Sequence, residues 1–323
     1  MEQRTLLARL EQLDAEIVQK QQARQLLTAL AGKGDLRYWH ESLNRLAPDA
    51  HLDWLITQGF DEKEAIRLKW LSKNMNEHEQ YMADFGYIFK ELDRWGPGSE
   101  KETLKALSKV PFPPQAILEM GCGKGVATAV LARHTSATIT AVDNDESALS
   151  RLRAYMAEHF ENQQLPAGLT TLCASMSDMP FSSGQFDLIW AEGSAYIVGV
   201  TTALKQWKKL LKAGGVLVFS DMVWNAPNQT GQEKNFWAAE YPGMTTAAER
   251  CRQAEAAGYQ VIDSFAIKEE AWQAYYLPLK ERVKAIEPSL AGSTALTDIK
   301  SELSICLQEN RSFNYHFFIL ATG

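Results

Sequence analysis

An acid followed by three regularly spaced glycines is the stretch of this sequence with the clearest chemical meaning. A short apolar run ends at Glu119, and Gly121, Gly123 and Gly125 follow at every second position. Residues 126–132 are typical of a helix. Glycine has no Cβ, so it tolerates positive φ and lets a ligand approach the backbone at the start of a helix. The pattern predicts a strand, a ligand-binding turn and a helix, although an ordinary strand-to-helix turn is the alternative.

The spacing of these glycines disfavours a dinucleotide as the ligand. A dinucleotide-binding turn has the pattern G-x-G-x-x-G, whose third glycine would fall at Val126, but the glycine lies at Gly125. A carboxylate at Glu119 would also lie unfavourably beside a pyrophosphate. An acid two residues before G-x-G-x-G resembles motif I of the class I S-adenosylmethionine (SAM) methyltransferases. In that family the acid lies near the methionine amino group of SAM, which contains no phosphate.

A second acid lies where a ribose would be bound. Asp143 ends the apolar run 137–142, some twenty residues after the glycine turn. An acid at this position accepts hydrogen bonds from both ribose hydroxyls. A helix cap is the alternative role, although Asn144 or Asp145 could equally cap the helix predicted over 146–159. With motif I at the right distance, Asp143 is predicted to bind the ribose.

The segment after the third predicted strand resembles the adenine-binding motif of the same family. Pro180 and Phe181 align with that motif, but Ser175 stands where the family usually has Asp. Ser175 and Asp178 are both candidates for binding the adenine amino group. Met176 offers a backbone N–H to adenine N1 and a side chain that packs on the ring.

A loop rich in glycine precedes motif I. Residues 95–99 contain a tryptophan and two glycines, which exceed what a turn needs. We interpret the loop as one that closes over the methionine end of SAM, with Trp95, Gly96 and Ser99 near the ligand. The alternative is a turn in which Ser99 and Glu102 form a capping box for the next helix.

The candidate catalytic residues follow the fourth predicted strand, at the edge where methyl donor and acceptor meet in this family. Residues 191–197 do not resemble the Asn-Pro-Pro-Tyr motif used on amino groups of bases and glutamines, which disfavours that substrate class. Glu192 is a candidate general base, a candidate binder of a cationic substrate, or a helix cap. Tyr196 is a candidate for lining the acceptor side.

Aromatic residues recur between the fifth and the last predicted strands. They form either a lid over the acceptor or ordinary core; they are Trp237, Tyr241, Trp272, Tyr275 and Tyr276. His316 alternates within the last predicted strand, 313–320, and we expect a hydrogen-bonded strand histidine there rather than a catalyst.

From about residue 95 onward, the chain resembles the small-molecule class I SAM-dependent methyltransferases, in a bacterial branch whose substrates are mostly unassigned. The resemblance implies an α/β, Rossmann-like fold with a seven-stranded, mostly parallel sheet and an antiparallel last strand. It also implies methyl transfer by in-line displacement from SAM to a small-molecule acceptor, with S-adenosylhomocysteine as product. The SAM contacts that it implies are Glu119, Gly121, Cys122, Gly123, Gly125, Asp143, Asn144, Ser175, Met176, Trp95, Gly96 and Ser99. A SAM-binding sensor and an NAD-linked enzyme are the alternatives.

Charge and cysteine usage restrict the other partners. The 323-residue chain has a formal net charge of −7, so we expect no nucleic-acid or membrane partner. Its four cysteines are scattered, with no C-x-x-C and no Cys/His cluster at metal-ligand spacing. We therefore expect a cytoplasmic protein without a structural metal.

The N-terminal part of the chain is predicted to be helical. Residues 4–30 contain no proline or glycine and place leucines at heptad positions, which weakly resembles the dimerisation helix of MerR-type regulators. This helix either packs on its own chain or forms a homodimer. The predicted domains are a helical subdomain, 1–94, and a methyltransferase domain, 95–323, with a helical insertion at about 268–312.

Overall fold

Alternating strands and helices make up most of the chain. The computed structural model describes residues 75–160, 168–176, 179–226 and 229–323. The helix predicted over 4–30, most of the predicted helical subdomain and Asp178 lie outside these residues. One compact unit comprises Ile88–Ala291 and Leu296–Gly323 and contains the whole sheet.

The elements are numbered here along the described residues. The strands are β1 (Ala116–Met120), β2 (Thr138–Asp143), β3 (Leu169–Cys173), β4 (Phe186–Glu192), β5 (Leu211–Trp224), β6 (Thr245–Thr246), β7 (Tyr259–Ala266) and β8 (Phe313–Thr322). The helices are α1 (Met75–Phe89), α2 (Glu100–Leu107), α3 (Val126–His134), α4 (Glu146–His159), α5 (Val200–Lys208), α6 (Gly231–Glu240), α7 (Ala247–Ala256), α8 (Glu269–Ile286) and α9 (Thr294–Cys306). None of these helices is both long and apolar enough to cross a membrane.

The sheet has the strand order β3-β2-β1-β4-β5-β8-β7, with the two-residue β6 paired to β5. All pairs are parallel except those of β8, which runs antiparallel to β5 and β7. The predicted seven-stranded, mostly parallel sheet with an antiparallel last strand is confirmed, and β6 is a short addition to it. The strand order reverses between β1 and β4, and ligands of open α/β sheets bind at the carboxyl ends of strands at such a point.

The core explains why these segments form strands and helices. The central strands are nearly all apolar because both of their faces are covered, as at Ile189 in β4 and Leu217 in β5. Helix α5 places one apolar stripe against them, since its buried residues recur at helical spacing. Those residues are Val200, Ala203, Leu204 and Trp207.

Two sequence-based assignments between β4 and β7 need correction. The sequence predicts a helix over 202–212 that ends with a glycine cap at 213–215, but α5 ends at Lys208 and β5 has begun by Leu211. The glycines instead lie where the pairing of β4 with β5 shifts register, between Leu211 and Val216. Helix α6 was missed, although Thr230 and Glu233 form a complete capping box at its start.

Candidate active site

The glycine turn after β1 is held between the ends of β2 and β4. The backbone N–H groups of Gly121 and Cys122 donate to the Val142 carbonyl at 2.8 and 2.9 Å. Gly121 has φ +69°, and a Cβ there would lie 2.5 Å from the Cβ of Ser194. The Ser194 hydroxyl in turn donates to the Met120 carbonyl at 2.6 Å. Only glycine therefore fits at position 121, both for its backbone angle and for its space.

Asp143 is oriented by the backbone of two neighbouring turns. Its Oδ2 atom accepts from the Gly123 N–H at 2.8 Å, and Oδ1 accepts from the Asp145 N–H at 3.0 Å. Asp145 caps α4 through the Ser147 N–H at 2.8 Å, so the alternative role of Asp143 as a helix cap does not apply. Asn144, between the two acids, is exposed. This arrangement leaves Asp143 rigid at the end of β2, with carboxylate lone pairs that the two N–H groups do not use.

Glu119, near the end of β1, is a buried carboxyl group. Only 2% of its surface is exposed, and its Oε2 atom has no hydrogen-bond partner within the described residues. Burial raises the pKa of Glu119 to about 8; the hydroxyl and N–H of Thr128 oppose this increase, and the nearby carboxylates of Glu192 and Asp143 add to it. A buried acceptor without a donor costs free energy, so this position suits a ligand that supplies a donor, and a cationic one above all.

The loop before α2 lies beside the glycine turn. Trp95 is 38% exposed, and its Cε3 atom lies 4.0 Å from where a Cβ of Gly123 would be. Lys124 fixes the segment leading to this loop, because its Nζ atom donates to the carbonyls of Phe89, Lys90 and Leu92. Gly96, the next residue in the loop, has open space around its Cα.

Ser99 has a structural role that only half matches the expected capping box. Its hydroxyl accepts from the Glu102 N–H at 3.3 Å and caps α2. The Glu102 carboxylate does not return to Ser99, because it accepts from the Lys268 N–H at 3.1 Å. The prediction of a full capping box was wrong, because the Glu102 carboxylate binds the N–H of Lys268 instead of the N–H of Ser99.

Glu192, the last residue of β4, is held by three side chains. Its Oε1 atom accepts from the Thr103 hydroxyl at 2.7 Å and from the Trp190 indole N–H at 3.0 Å. Its Oε2 atom lies 3.5 Å from an Arg94 guanidinium nitrogen. No helix cap uses Glu192, since neither the short helix Ala195–Val198 nor α5 has a side-chain cap. The carboxylate links β4 to α2 and to the segment before it.

The two candidate adenine contacts follow β3. Ser175 is exposed, and Met176 is half-buried with its Sδ atom 3.5 Å from where a Cβ of Gly121 would lie. The Met176 carbonyl accepts from the Trp207 indole N–H at 3.2 Å, which fixes this turn on α5. The structure thus places Met176 against the glycine turn.

Tyr196 lies on the other side of the β4 end, next to a buried ion pair. It is 43% exposed, and its ring centroid lies 5.6 Å from that of Tyr241. The Tyr241 hydroxyl donates to Asp221 at 2.9 Å, and Arg250 lies 2.8 Å from the same carboxylate. Burial raises the pKa of Asp221, and the charge of Arg250 opposes this increase. The sequence did not predict this ion pair, because Asp221 on β5 and Arg250 on α7 are far apart in the chain.

The remaining aromatic candidates divide between core and site. Trp237, Trp272 and Tyr276 are at most 7% exposed and pack against other rings in edge-on or tilted arrangements, which is the packing role. His316 departs from expectation, because its Nδ1 atom is buried without a hydrogen-bond partner in the described residues. Burial lowers the pKa of His316 to about 4, so the imidazole is neutral at physiological pH.

Comparison with known proteins indicates which activity these residues support. Residues 118–219 match the methyltransferase domain family, and the match covers the glycine turn, Asp143 and Glu192. This chain is a SAM-dependent methyltransferase. Its methyl donor is accordingly SAM. The turn after β1 lies at the carboxyl ends of the strands, where open α/β sheets bind ligands.

Relatives of this methyltransferase include enzymes from fungi and bacteria. It is 27% identical over 197 residues to the O-methyltransferase CnsE of Penicillium expansum, and this match covers 57% of this chain and 69% of that protein. It is 26% identical over 170 residues to the uncharacterized methyltransferase YodH of Bacillus subtilis, covering 52% of this chain and 67% of YodH. A SAM-dependent methyltransferase from Geobacter sulfurreducens, solved with S-adenosylhomocysteine, shares the fold at a TM-score of 0.62 and 14% identity, covering 74% of this chain and 97% of that one.

Proposed function

We propose that this methyltransferase binds SAM across the carboxyl ends of β1 and β2 and methylates a small organic acceptor beyond the end of β4. The observation that carries the proposal is the pairing of Gly121, where no side chain fits, with Asp143, which two backbone N–H groups orient. The first lets the turn pack against Ser194 just after β4, and the second offers a fixed carboxylate to a diol.

Each of the neighbouring residues would contact a different part of SAM. Glu119 would accept from the methionine ammonium, since its buried Oε2 atom lacks a donor. Asp143 would bind the ribose, and Met176 would pack on the adenine. Trp95 would cover the glycine turn from the side of the loop. The remaining contacts of the proposed site are Gly96, Ser99, Cys122, Gly123, Gly125, Asn144 and Ser175.

The chemistry requires positioning more than acid or base catalysis. SAM supplies a methyl group on a sulfonium, which is already activated for displacement. The protein has to hold the acceptor about 3 Å from that methyl in line with the sulfur and to exclude water. Glu192 is engaged by Arg94, Thr103 and Trp190, which supports a positioning role over that of a free general base. Tyr196, which is exposed in the short helix after β4, would line the acceptor side.

The same proposal includes the cellular location, the source and the oligomeric state of the enzyme. All four cysteines are free, which supports a reducing, cytoplasmic location. The likeness to a bacterial branch supports a bacterial enzyme, and the heptad pattern of residues 4–30 supports a homodimer. Nothing in the net charge of −7 favours nucleic acid as a partner.

Calorimetry with S-adenosylhomocysteine tests the proposed site. Asp143→Ala should weaken binding by about 1.5–3 kcal/mol, the usual contribution of hydrogen bonds to a charged group. Asp145→Ala is the matched control, because Asp145 lies two residues away and its side chain caps α4. That control should bind as the native protein does. Unchanged affinity in Asp143→Ala would show that Asp143 does not bind the ribose. The observation that carries the proposal would then be lost.

A further inference from the structure

Two buried tyrosine hydroxyls lack a partner near the end of β4. Tyr275 and Tyr315 are 6% and 8% exposed, yet within the described part of the chain neither hydroxyl makes a hydrogen bond. Neither oxygen is fully enclosed, since both are absent from the atoms that are buried and unsatisfied. Buried polar groups are nearly always paired with protein or with something that occupies the adjoining space. These hydroxyls therefore indicate a space that a ligand can enter.

The tyrosines belong to a continuous set of rings that begins at the methyl-transfer edge. The Tyr315 hydroxyl lies 3.9 Å from where a Cβ of Gly193 would be, one residue beyond β4. From Tyr315 the rings continue to Trp272 at 6.4 Å, to Tyr276 at a further 4.8 Å and to Tyr275 at a further 4.7 Å. We call Tyr196, Tyr275 and Tyr315 the tyrosine wall, and the core residue Tyr276 links Tyr275 to Glu302.

One carboxylate on this wall has no countercharge. The Tyr276 hydroxyl donates to Glu302 at 2.8 Å, and no salt bridge of Glu302 occurs among the described residues. By contrast, Asp221 is paired with Arg250 at 2.8 Å and Glu192 with Arg94 at 3.5 Å. The space beside the wall is therefore rich in aromatic faces and has one uncompensated acidic group.

The local electrostatics agree with this geometry. Burial raises the pKa of Glu302 to about 7, with the Tyr276 hydrogen bond lowering it and Glu240 raising it. Burial, and after it the charge of Glu302, raises the pKa of Tyr275. A cation placed between them would stabilise the carboxylate and would lie against the ring faces, as cations do in aromatic cages.

We propose that the tyrosine wall and Glu302 bind the nitrogen of a small amine, and that this amine is the methyl acceptor. The proposal rests on the function proposed above. In the reaction the amine lone pair forms the N–C bond, and the electron pair of the C–S bond goes to sulfur. The positive charge thus moves from sulfur to nitrogen, next to the rings and Glu302. A primary or secondary amine that binds protonated must first lose a proton, for which Glu302 is the acceptor.

Two probes that differ only in charge test the amine assignment. Choline and its neutral isostere 3,3-dimethylbutan-1-ol are titrated by calorimetry into protein saturated with S-adenosylhomocysteine, at pH 8 where Glu302 is mostly ionised. Choline should bind at least about tenfold more tightly, as expected for a cation over aromatic faces and beside a carboxylate. This comparison needs no variant. Equal binding of the two probes, or no binding of choline, would overturn the proposal.

Two variants then locate the effect. Glu302→Gln should reduce the preference for choline to within about threefold, whereas Glu309→Gln, an exposed acid on the segment after α9, should keep it. Retention of the full preference in Glu302→Gln would also overturn the proposal. S-adenosylhomocysteine affinity is measured on each variant as a check on folding. Failure of the native protein to bind S-adenosylhomocysteine would instead refute the site proposed for SAM, so the two failures are distinguishable.

Discussion

At the scale of single residues, the proposed site contains carboxyl groups of the same chemistry in different surroundings. Asp143 accepts two backbone hydrogen bonds, whereas one oxygen of Glu119 is buried without any donor. Both acids were predicted, Glu119 from the resemblance of its stretch to motif I and Asp143 from its position at the end of the second predicted strand. The sequence did not show that Asp145 caps α4 and so leaves Asp143 free of that role.

Two glycines with the same φ angle allow the cost of backbone strain to be measured separately from the cost of side-chain crowding. Gly121 and Gly184 both have φ +69°, but a Cβ at Gly184 would meet nothing within 4 Å. Gly184→Ala should therefore lower the free energy of unfolding only by the cost of a left-handed alanine, about 1–2 kcal/mol. Gly121→Ala should lose a further ~1–3 kcal/mol, because its methyl overlaps Ser194. Urea unfolding measures both, and equal losses would contradict the crowding at Gly121.

The raised pKa of Glu119 gives the stability of the ligand-free protein a pH dependence. The unfolded chain loses this proton near the ordinary pKa of 4.5, but the folded protein keeps it until about pH 8. Between these values unfolding releases a proton, so the stability that Glu119 contributes falls as pH rises, by up to about 1.4 kcal/mol per pH unit. Urea unfolding at pH 5.5, 6.5 and 7.5 should show the native protein losing stability relative to Glu119→Gln. Parallel profiles for the two proteins would contradict this assignment.

At the scale of elements, apolar runs predicted the strands, and the site depends on contacts between them. The ends of β1, β2 and β4 could be placed at one edge from the glycine turn and the parallel topology alone. The partners of Glu192 could not be predicted, because Thr103 lies 89 residues away in the chain. The shift in register of β5 was missed for a similar reason, since it is defined only against β4.

The link between β4 and α2 should be measurable as a coupling. Glu192→Gln should cost about 1.5–3 kcal/mol of unfolding free energy, since three donors lose a charged acceptor. Arg94→Gln should cost less, because Thr103 and Trp190 keep their bonds to Glu192. In a double-mutant cycle by urea unfolding the two losses should not add, since each variant breaks the same pair. Strict additivity would show that Arg94 and Glu192 do not interact.

At the scale of the whole molecule, the cofactor and the acceptor depend on different parts of the chain. The methyl donor was predictable because the glycine turn and the acid proposed to bind the ribose lie in one continuous stretch, from Glu119 to Asp143. The proposed acceptor site draws on β4, α8, α9 and β8, which are distant in sequence and meet only in the folded sheet. Tyr275 could be identified as an aromatic residue of the insertion, but its unpaired hydroxyl is visible only in three dimensions.

The lysine within the glycine turn has a consequence for covalent labelling. The Lys124 amine is enclosed by the carbonyls of Phe89, Lys90 and Leu92, and burial lowers its pKa to about 8, with Arg151 adding to the decrease. A solvent-exposed lysine amine reacts with acylating reagents, but these reagents cannot reach this amine while three carbonyls surround it. Its rate of acylation, followed by mass spectrometry, therefore reports how often the segment before Trp95 moves away from the turn, without any introduced probe.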